Sequence, residues 1–470
     1  MQPSNEQQAA IDIVQNNQNL LMKAGAGTGK STTLRLIAQH NPDKNFLCIV
    51  YNTANAKESN EHPDKPDNIL YKTSHSLAYG KIVTPAMRKK LDFKKGGGSI
   101  SYNDIEENLF KDNGIIAYDL PQADRRHAIT YIRKAMINAL QTYCLSDVFS
   151  LREFCQPLYE SWFANDFAYV ADESGGVVRQ ERLKLNAEQQ DKLTELTREH
   201  WLKLIDENNA IGISHDVYLK MFALQKLSIS SVYDASTKAN FDVDVLCLDE
   251  AQDTSPVVLQ IFNSFLGQKV VVGDAAQQLY AWRGAVNAMD KFAQLGYEVG
   301  KLTTSYRFNE NVAAGANNVL QAMGVDYQLT GKSVRTDIDT TAYLHRSNAG
   351  AVRQIFALYE ENPFAQIYTN ANIEQVTSKM WHLLSVLNDK VPAFPDMSLK
   401  HIQTKADALE ALELSPELKQ IVQIAQLIDK QAGGLKQGLT MLKTKLLNRI
   451  DKASIIVSTI HKAKGLLGIS

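Results

Sequence analysis

Apolar residues along this chain fall into two alternating patterns. Short runs, β-branched or apolar nearly throughout, stand at residues 19–22, 46–51, 243–248, 270–272, 341–344 and 455–458. Runs of that length, apolar on both faces of a pleat, predict strands covered on both sides, as in a parallel sheet. Between them apolar residues recur at helical spacing, as with Leu34, Ile37 and Ala38. Strands alternating with helices predict an α/β fold with parallel sheets. Two stretches break the alternation. Residues 81–239 are long, charged and mostly helical in period, most clearly at 125–140 and 187–206. Within them Gly96-Gly97-Gly98-Ser99 reads as a flexible loop after the basic run 88–95. Residues 398–450 are a second helical stretch, broken at Gly433-Gly434. The expectation is an inserted helical subdomain and a smaller helical insertion. No internal repeat interrupts the pattern.

Composition narrows the class. The 470 residues suggest about three domains. With 44% apolar and 22% charged residues, wholesale disorder, collagen and low-complexity character are excluded. The net charge of −2 argues against a polybasic nucleic-acid binder, though not against a local basic groove. Cys48, Cys144, Cys155 and Cys247 form no C-x-x-C pair, and four are too few for a disulfide framework. No apolar run approaches the ~18 residues that span a bilayer. The opening MQPSNEQQAA has no apolar core of a signal peptide. A soluble intracellular protein without a membrane partner is expected, cytoplasmic in a bacterial or phage-like setting and nuclear in a eukaryotic one.

Chemistry enters at a glycine-rich loop. Ala24-Gly25-Ala26-Gly27-Thr28-Gly29-Lys30-Ser31 satisfies G-x-x-x-x-G-K-[S/T]. Its glycines let backbone N–H groups turn toward phosphate oxygens, and a helix starting near Thr32 would point its positive end at the anion. Lys30 would reach the β and γ phosphates of ATP, and Ser31 would ligate Mg²⁺. Downstream, an apolar run ends in Leu248-Asp249-Glu250-Ala251-Gln252-Asp253. A carboxylate at a strand end beside the phosphate loop is where Mg²⁺ is held, so Asp249 would bind the metal and Glu250 would deprotonate the attacking water. A lone Asp-Glu pair is ordinarily a solvated loop; the phosphate loop upstream changes that reading. A further apolar run leads into Gly273-Asp274-Ala275-Ala276-Gln277-Gln278-Leu279-Tyr280-Ala281-Trp282-Arg283-Gly284-Ala285. Gln277 would sense the γ phosphate. Tyr280 and Trp282, with Arg283 beside them, are aromatics next to a cation, the means by which single-stranded bases are stacked.

Taken together, residues 24–32, 248–253 and 273–285 resemble superfamily 1 DNA helicases of the UvrD/Rep kind. FLCIVYN at 46–52, KTSHSLAYG at 72–80, HDVYLK at 215–220 and QQLYAWRGAVNA at 277–288 are similar to the F-box DNA helicase branch, without an F-box. The resemblance runs from about residue 4 to 466, with motifs in the family's order. It implies two RecA-like P-loop motor domains with parallel sheets. The first would comprise 1–80 and 240–300, carrying the helical insert 81–239. The second would comprise 301–397 and 451–470, carrying 398–450. It implies that Gln7 reads adenine and that Gly25, Ala26, Gly27, Thr28, Gly29, Lys30, Ser31 and Thr32 hold the nucleotide. Tyr51, Asn52 and His75 would track single-stranded DNA, Arg307 would be an arginine finger, and Thr459 and His461 would couple DNA to nucleotide.

The implied function is an ATP-dependent single-stranded DNA translocase or helicase moving 3′→5′. Its partners would be single-stranded DNA or a single-strand/double-strand junction, in repair or recombination, with room for a protein partner. Over 466–470 (LLGIS) the resemblance fades, and Leu467 stands where the family has an acidic residue. The second motor domain is therefore expected to be incomplete, lacking its last strands and a second arginine. This leaves an alternative reading: an impaired ATP- and DNA-binding scaffold or switch without efficient unwinding.

Overall fold

All six apolar runs fold as strands. In a computed structural model the described residues are 2–91, 100, 105–106, 108–116, 122–163, 167–171, 177–181, 184–278, 288–333, 340–392, 396, 399, 402–431 and 434–463. They form two compact units, residues 1–166 with 183–334 and residues 167–182 with 335–470. The stretch 301–334, with Arg307, thus packs within the first unit.

The first unit is built on a six-stranded parallel sheet. Its order is Glu298–Leu302, Leu20–Ala24, Gln268–Gly273, Val245–Leu248, Phe46–Val50, Ile69–Thr73. The four interior strands are short and mostly apolar because both faces are covered. Phe46, Cys48, Val245, Cys247, Val270 and Val272 face one way, against Ala10, Ile11, Leu34 and Ile37 of two helices. Leu47, Ile49, Leu246, Leu248 and Val271 face the other way, into a core shared with Ile132, Met136, Tyr143, Tyr159, Trp201 and Phe222. The helical stretch 81–239 therefore shares a core with the sheet instead of forming a separate one. It also holds the hairpin Ser231–Asp234/Ala239–Asp242 and, assigned to the second unit, the hairpin Phe167–Ala171/Val177–Glu181, neither of which helical periodicity anticipated. The helices expected at 125–140 and 187–206 are Gln122–Leu145 and Ala187–Ile205. The glycine turn at 96–99 lies outside the described residues.

Two buried lysines bind backbone carbonyls in this region. Lys90 Nζ donates to the carbonyls of Lys203, Leu204 and Asp206, at the C-terminus of Ala187–Ile205. Lys220 Nζ donates to the carbonyls of Ser146 and Val148 and lies 4.2 Å from the centre of the Tyr143 ring. Lys90 thereby offers a cation to carbonyls that a helix end leaves unpaired, while Lys220 holds the chain just after Gln122–Leu145.

The second unit carries the parallel strands Thr341–His345, Ile455–Thr459 and Ile367–Thr369, in that order across the sheet. The helices Asn348–Glu361, Ile373–Leu387, Lys405–Leu414, Pro416–Gln431 and Leu435–Lys445 accompany it. Val352, Ile355, Phe356, Met380, Leu383, Ile421, Ile428 and Leu439 share its core, so the helical stretch 398–450 is continuous with this unit's interior. No helix among the described residues is long and apolar enough to cross a membrane.

Candidate nucleotide site and nucleic-acid face

Every strand of the six-stranded sheet runs in the same direction, so six C-terminal ends share one edge. That edge is where ligands bind in open parallel sheets. Leu20–Ala24 delivers the glycine loop, Val245–Leu248 delivers Asp249 and Glu250, and Gln268–Gly273 delivers Asp274. Phe46–Val50 leads to Tyr51, Ile69–Thr73 to His75, and Glu298–Leu302 to Thr303.

The loop has the backbone that phosphate binding requires. Gly27 sits at φ +71° and Gly29, which caps the following helix, at φ +83°. The helix Lys30–Gln39 therefore begins two residues before the expected Thr32. Thr28 Oγ1 donates to the Gly25 carbonyl (2.9 Å) and Thr33 Oγ1 to the Gly29 carbonyl (2.9 Å), so the loop is held from inside. Gln7 is buried against it. Its Nε2 donates to Thr33 Oγ1 (3.1 Å), and its Oε1 accepts from the Ser4 amide (2.9 Å), closing a capping box on Asn5–Gln15. Ser31 is exposed on the first turn, and the Thr32 hydroxyl accepts from Arg35 (3.3 Å). Ala26 is part-exposed within the loop.

Lys30 Nζ lies 3.6 Å from Glu250 Oε1, with both side chains mostly buried. Glu250 itself is at φ 52°, ψ 45°, a left-handed conformation costing roughly 1–2 kcal/mol for a residue with a Cβ. Such strain is concentrated at functional sites. The Asp249 carboxylate accepts from the Glu250 amide (2.9 Å), and the Asp249 amide donates to the Ile49 carbonyl (2.9 Å). Behind Glu250 runs a relay that sequence reasoning did not assign. Gln252, fully buried, donates to Glu250 Oε2 (2.6 Å) and accepts from the Asp274 amide (3.0 Å). Asp274, also buried, accepts from Gln277 Nε2 (2.6 Å) and from the Ala276 amide (3.0 Å). Gly273 makes this possible: a Cβ there would stand 2.6 Å from Gln252 Oε1 and 2.8 Å from Met289 Sδ. Gln252 and Asp274 were visible as polar residues next to the named carboxylates, but nothing in their spacing distinguished a relay from a solvated loop.

The structure brings the Arg307 segment to the loop. The Tyr306 amide donates to the Gly27 carbonyl (2.9 Å), the Gly25 amide to the Leu302 carbonyl (3.2 Å), and a Cβ on Gly27 would meet the Arg307 Cβ at 2.5 Å. Arg307 is exposed. Glu6 anchors the same segment, accepting from the Thr303 amide and hydroxyl and from the Thr304 amide. Glu6 is a site residue that the sequence reading passed over.

A cavity of about 500 Å³ lies at the strand ends beyond Asp249. Tyr51, His75, Gln141, Asp216, Asp249 and Asp253 are among the residues lining it. Among the described residues, its walls carry the carboxylates of Asp216, Asp249, Glu250 and Asp253 and no lysine or arginine. His75 Nε2 is 3.0 Å from Asp216 Oδ1, and its ring meets His215 and Tyr218 edge-on. Burial, and then the neighbouring His75, hold the His215 imidazole below its ordinary value. Tyr51 is 39% exposed. The Asn52 side-chain oxygen caps Thr53–Glu61 by accepting from the Asn55 amide (2.8 Å). Tyr280, Trp282 and Arg283 lie outside the described residues. In the second unit Thr459 ends the strand Ile455–Thr459, buried, and His461 falls in the short helix Ile460–Ala463. Residues 464–470 are not among those described.

A parallel sheet whose ends present a phosphate loop, an acidic strand end and an arginine-bearing segment defines a P-loop nucleotide-binding domain. The UvrD/REP helicase N-terminal domain matches residues 4–294, more than half of the chain, and the chain belongs to the UvrD/REP helicase family. It is 26% identical over 496 aligned residues to F-box DNA helicase 1 of Gallus gallus, covering 98% of this chain and 43% of that protein. It is 27% identical over 335 residues to F-box DNA helicase protein 1 of Schizosaccharomyces pombe, covering 70% of this chain and 34% of that one. The chain thus spans less than half the length of these relatives.

Proposed function

We propose that this chain is an ATP-hydrolysing translocase or helicase acting on single-stranded DNA, with 3′→5′ direction. The observation that carries the reading is the meeting of Lys30 with Glu250 at the glycine loop, while the Arg307 segment abuts Gly27. ATP is the substrate. The loop amides and Lys30 would receive its phosphates, and Gln7, packed on the loop helix, would face the base. Glu250 accepts a proton from the attacking water as the γ-phosphoryl is transferred, and Gln277 orients that water. Arg307 supplies positive charge to the leaving oxygens, worth on the order of 10³–10⁵ in turnover for such arginines. Ser31 and Asp249 offer a hydroxyl and a carboxylate, hard oxygen donors that fit Mg²⁺. Bound there, the ion would neutralise phosphate charge.

Nucleic acid would be handled at the same sheet edge. The cavity beside Asp249 is acidic and suits base edges better than phosphates, and the exposed Tyr51 ring offers a stacking face. His75 and the loop with Tyr280, Trp282 and Arg283 would extend that path, and Thr459 and His461 would contact nucleic acid on the second unit. Family membership supports the directional reading and a role in DNA repair or recombination.

The test is phosphate release stimulated by single-stranded DNA. Lys30→Ala should lower it by about 100-fold or more, the scale of losing a main electrostatic contact to the transition state. Unchanged turnover would reject the site. Binding of ATP and single-stranded DNA without stimulated hydrolysis would favour the impaired scaffold or switch reading.

A further inference from the structure

The segment carrying Arg307 is tied to the rest of the nucleotide site by a residue that no motif includes. Strand Thr304–Ser305 pairs in parallel with Thr330–Gly331, and the Lys332 amide donates to the Ser305 carbonyl (2.8 Å). Asn317 grips Leu329 from both sides: its Nδ2 donates to the Leu329 carbonyl (2.9 Å) and its Oδ1 accepts from the Leu329 amide (2.7 Å). Residues 327–332 therefore move with the start of the Arg307 segment. Just upstream, Asp326 is bound by Lys23 and Lys301, each at 3.3 Å, both on strands of the sheet. Next to it, the Tyr327 hydroxyl donates to Asp274 Oδ1 (3.0 Å). Asp274 Oδ2 accepts from Gln277, and the Asp274 amide donates to Gln252, which holds Glu250.

We infer that Tyr327 is a positioning residue for the hydrolysis proposed above: its phenol fixes the Asp274 carboxylate and so makes the orientation of Gln277 depend on where the Arg307 segment sits. The inference rests on that reading of the site. Tyr327 suits the role because it remains a donor. Burial, then the adjacent Asp274, push its phenol well above the ordinary tyrosine range. A carboxylate with its oxygens spoken for by Ala276, Gln277 and Tyr327 has one orientation. Without the phenol it keeps two donors from its own loop and loses the one that arrives from the Arg307 segment.

The experiment measures steady-state ATP hydrolysis by the full chain with single-stranded DNA, for wild type, Tyr327→Phe, Gln277→Ala, the double variant and Lys30→Ala, with melting temperatures alongside. Tyr327→Phe should lower kcat about tenfold, the effect of one hydrogen bond to a charged group, with KM for ATP within twofold and the melting temperature unchanged. In the Gln277→Ala background the same substitution should have no further effect. Wild-type kcat in Tyr327→Phe overturns the inference, as does a loss that persists in full without Gln277 or that follows a lowered melting temperature. Full turnover in Lys30→Ala, or none in the wild type, instead rejects the underlying reading and the inference with it.

Discussion

Gly27 shows how tightly the site is drawn at the scale of one residue. Its φ of +71° already costs a side-chain-bearing residue roughly 1–2 kcal/mol. A Cβ would in addition stand 2.5 Å from the Arg307 Cβ and 2.7 Å from Ser305 Oγ. Gly27→Ala should therefore lower the melting temperature by a few degrees and weaken ATP binding; a thermal melt with and without ATP reads both. The sequence made this loop plain, because glycine, lysine and hydroxyl residues at that spacing have few other uses. It did not make Gln252, Asp274 or Glu6 plain. Their roles are contacts between residues far apart in the chain, as between Glu6 and Thr303, and a single sequence carries no trace of such pairings.

At the scale of elements, legibility within the large sheet followed position: its interior strands were anticipated and its edge strands, Ile69–Thr73 and Glu298–Leu302, were not. Thr341–His345 in the second unit was anticipated although it is largely exposed. The strands anticipated in the large sheet run through its interior, where both faces are apolar. Glu298–Leu302 escaped notice because it is an edge strand whose exposed residues alternate with Gly300 and Leu302. The hairpins within 81–239 are short two-stranded pieces flanked by helices, below what periodicity resolves. The turn that follows Gln122–Leu145 rests on Lys220, and this has a pH consequence. Burial pulls its ammonium down to about 8, against 10.5 for a free lysine. Between those values the unfolded chain binds more protons than the folded one, so this group adds stability as pH rises from 8 toward 10.5 and adds a constant below 8. Lys220→Met removes the titration. Urea midpoints at pH 7.5 and 9.5 should show wild type gaining roughly 1–2 kcal/mol on the variant over that interval. Parallel pH profiles for the two proteins would place the titration elsewhere.

For the molecule as a whole, the parallel topology explains why residues scattered from Glu6 to Tyr327 meet. Alternating apolar runs and helices were enough to anticipate an α/β fold, and the parallel direction of all six strands follows from that alternation. The boundary of the first unit at residue 334 was not readable, because the step from 300 to 334 has no change of composition; only packing on the phosphate loop assigns it. The same topology sets Tyr51 and the nucleotide residues on one edge. Tyr51→Ala should weaken single-stranded DNA affinity by roughly 5- to 100-fold, the range for one stacked base. Fluorescence anisotropy measures this, and equal affinity would remove Tyr51 from the DNA path.

The hydrogen bonds from Gly25 to Leu302 and from Tyr306 to Gly27 have a mechanical corollary. Loop and neighbour are stitched backbone to backbone, through atoms that every side-chain substitution other than proline leaves in place. A guest entering the loop cannot reshape it without tugging on that seam. Mutation can blunt the chemistry of this site more readily than it can uncouple those two pieces of chain.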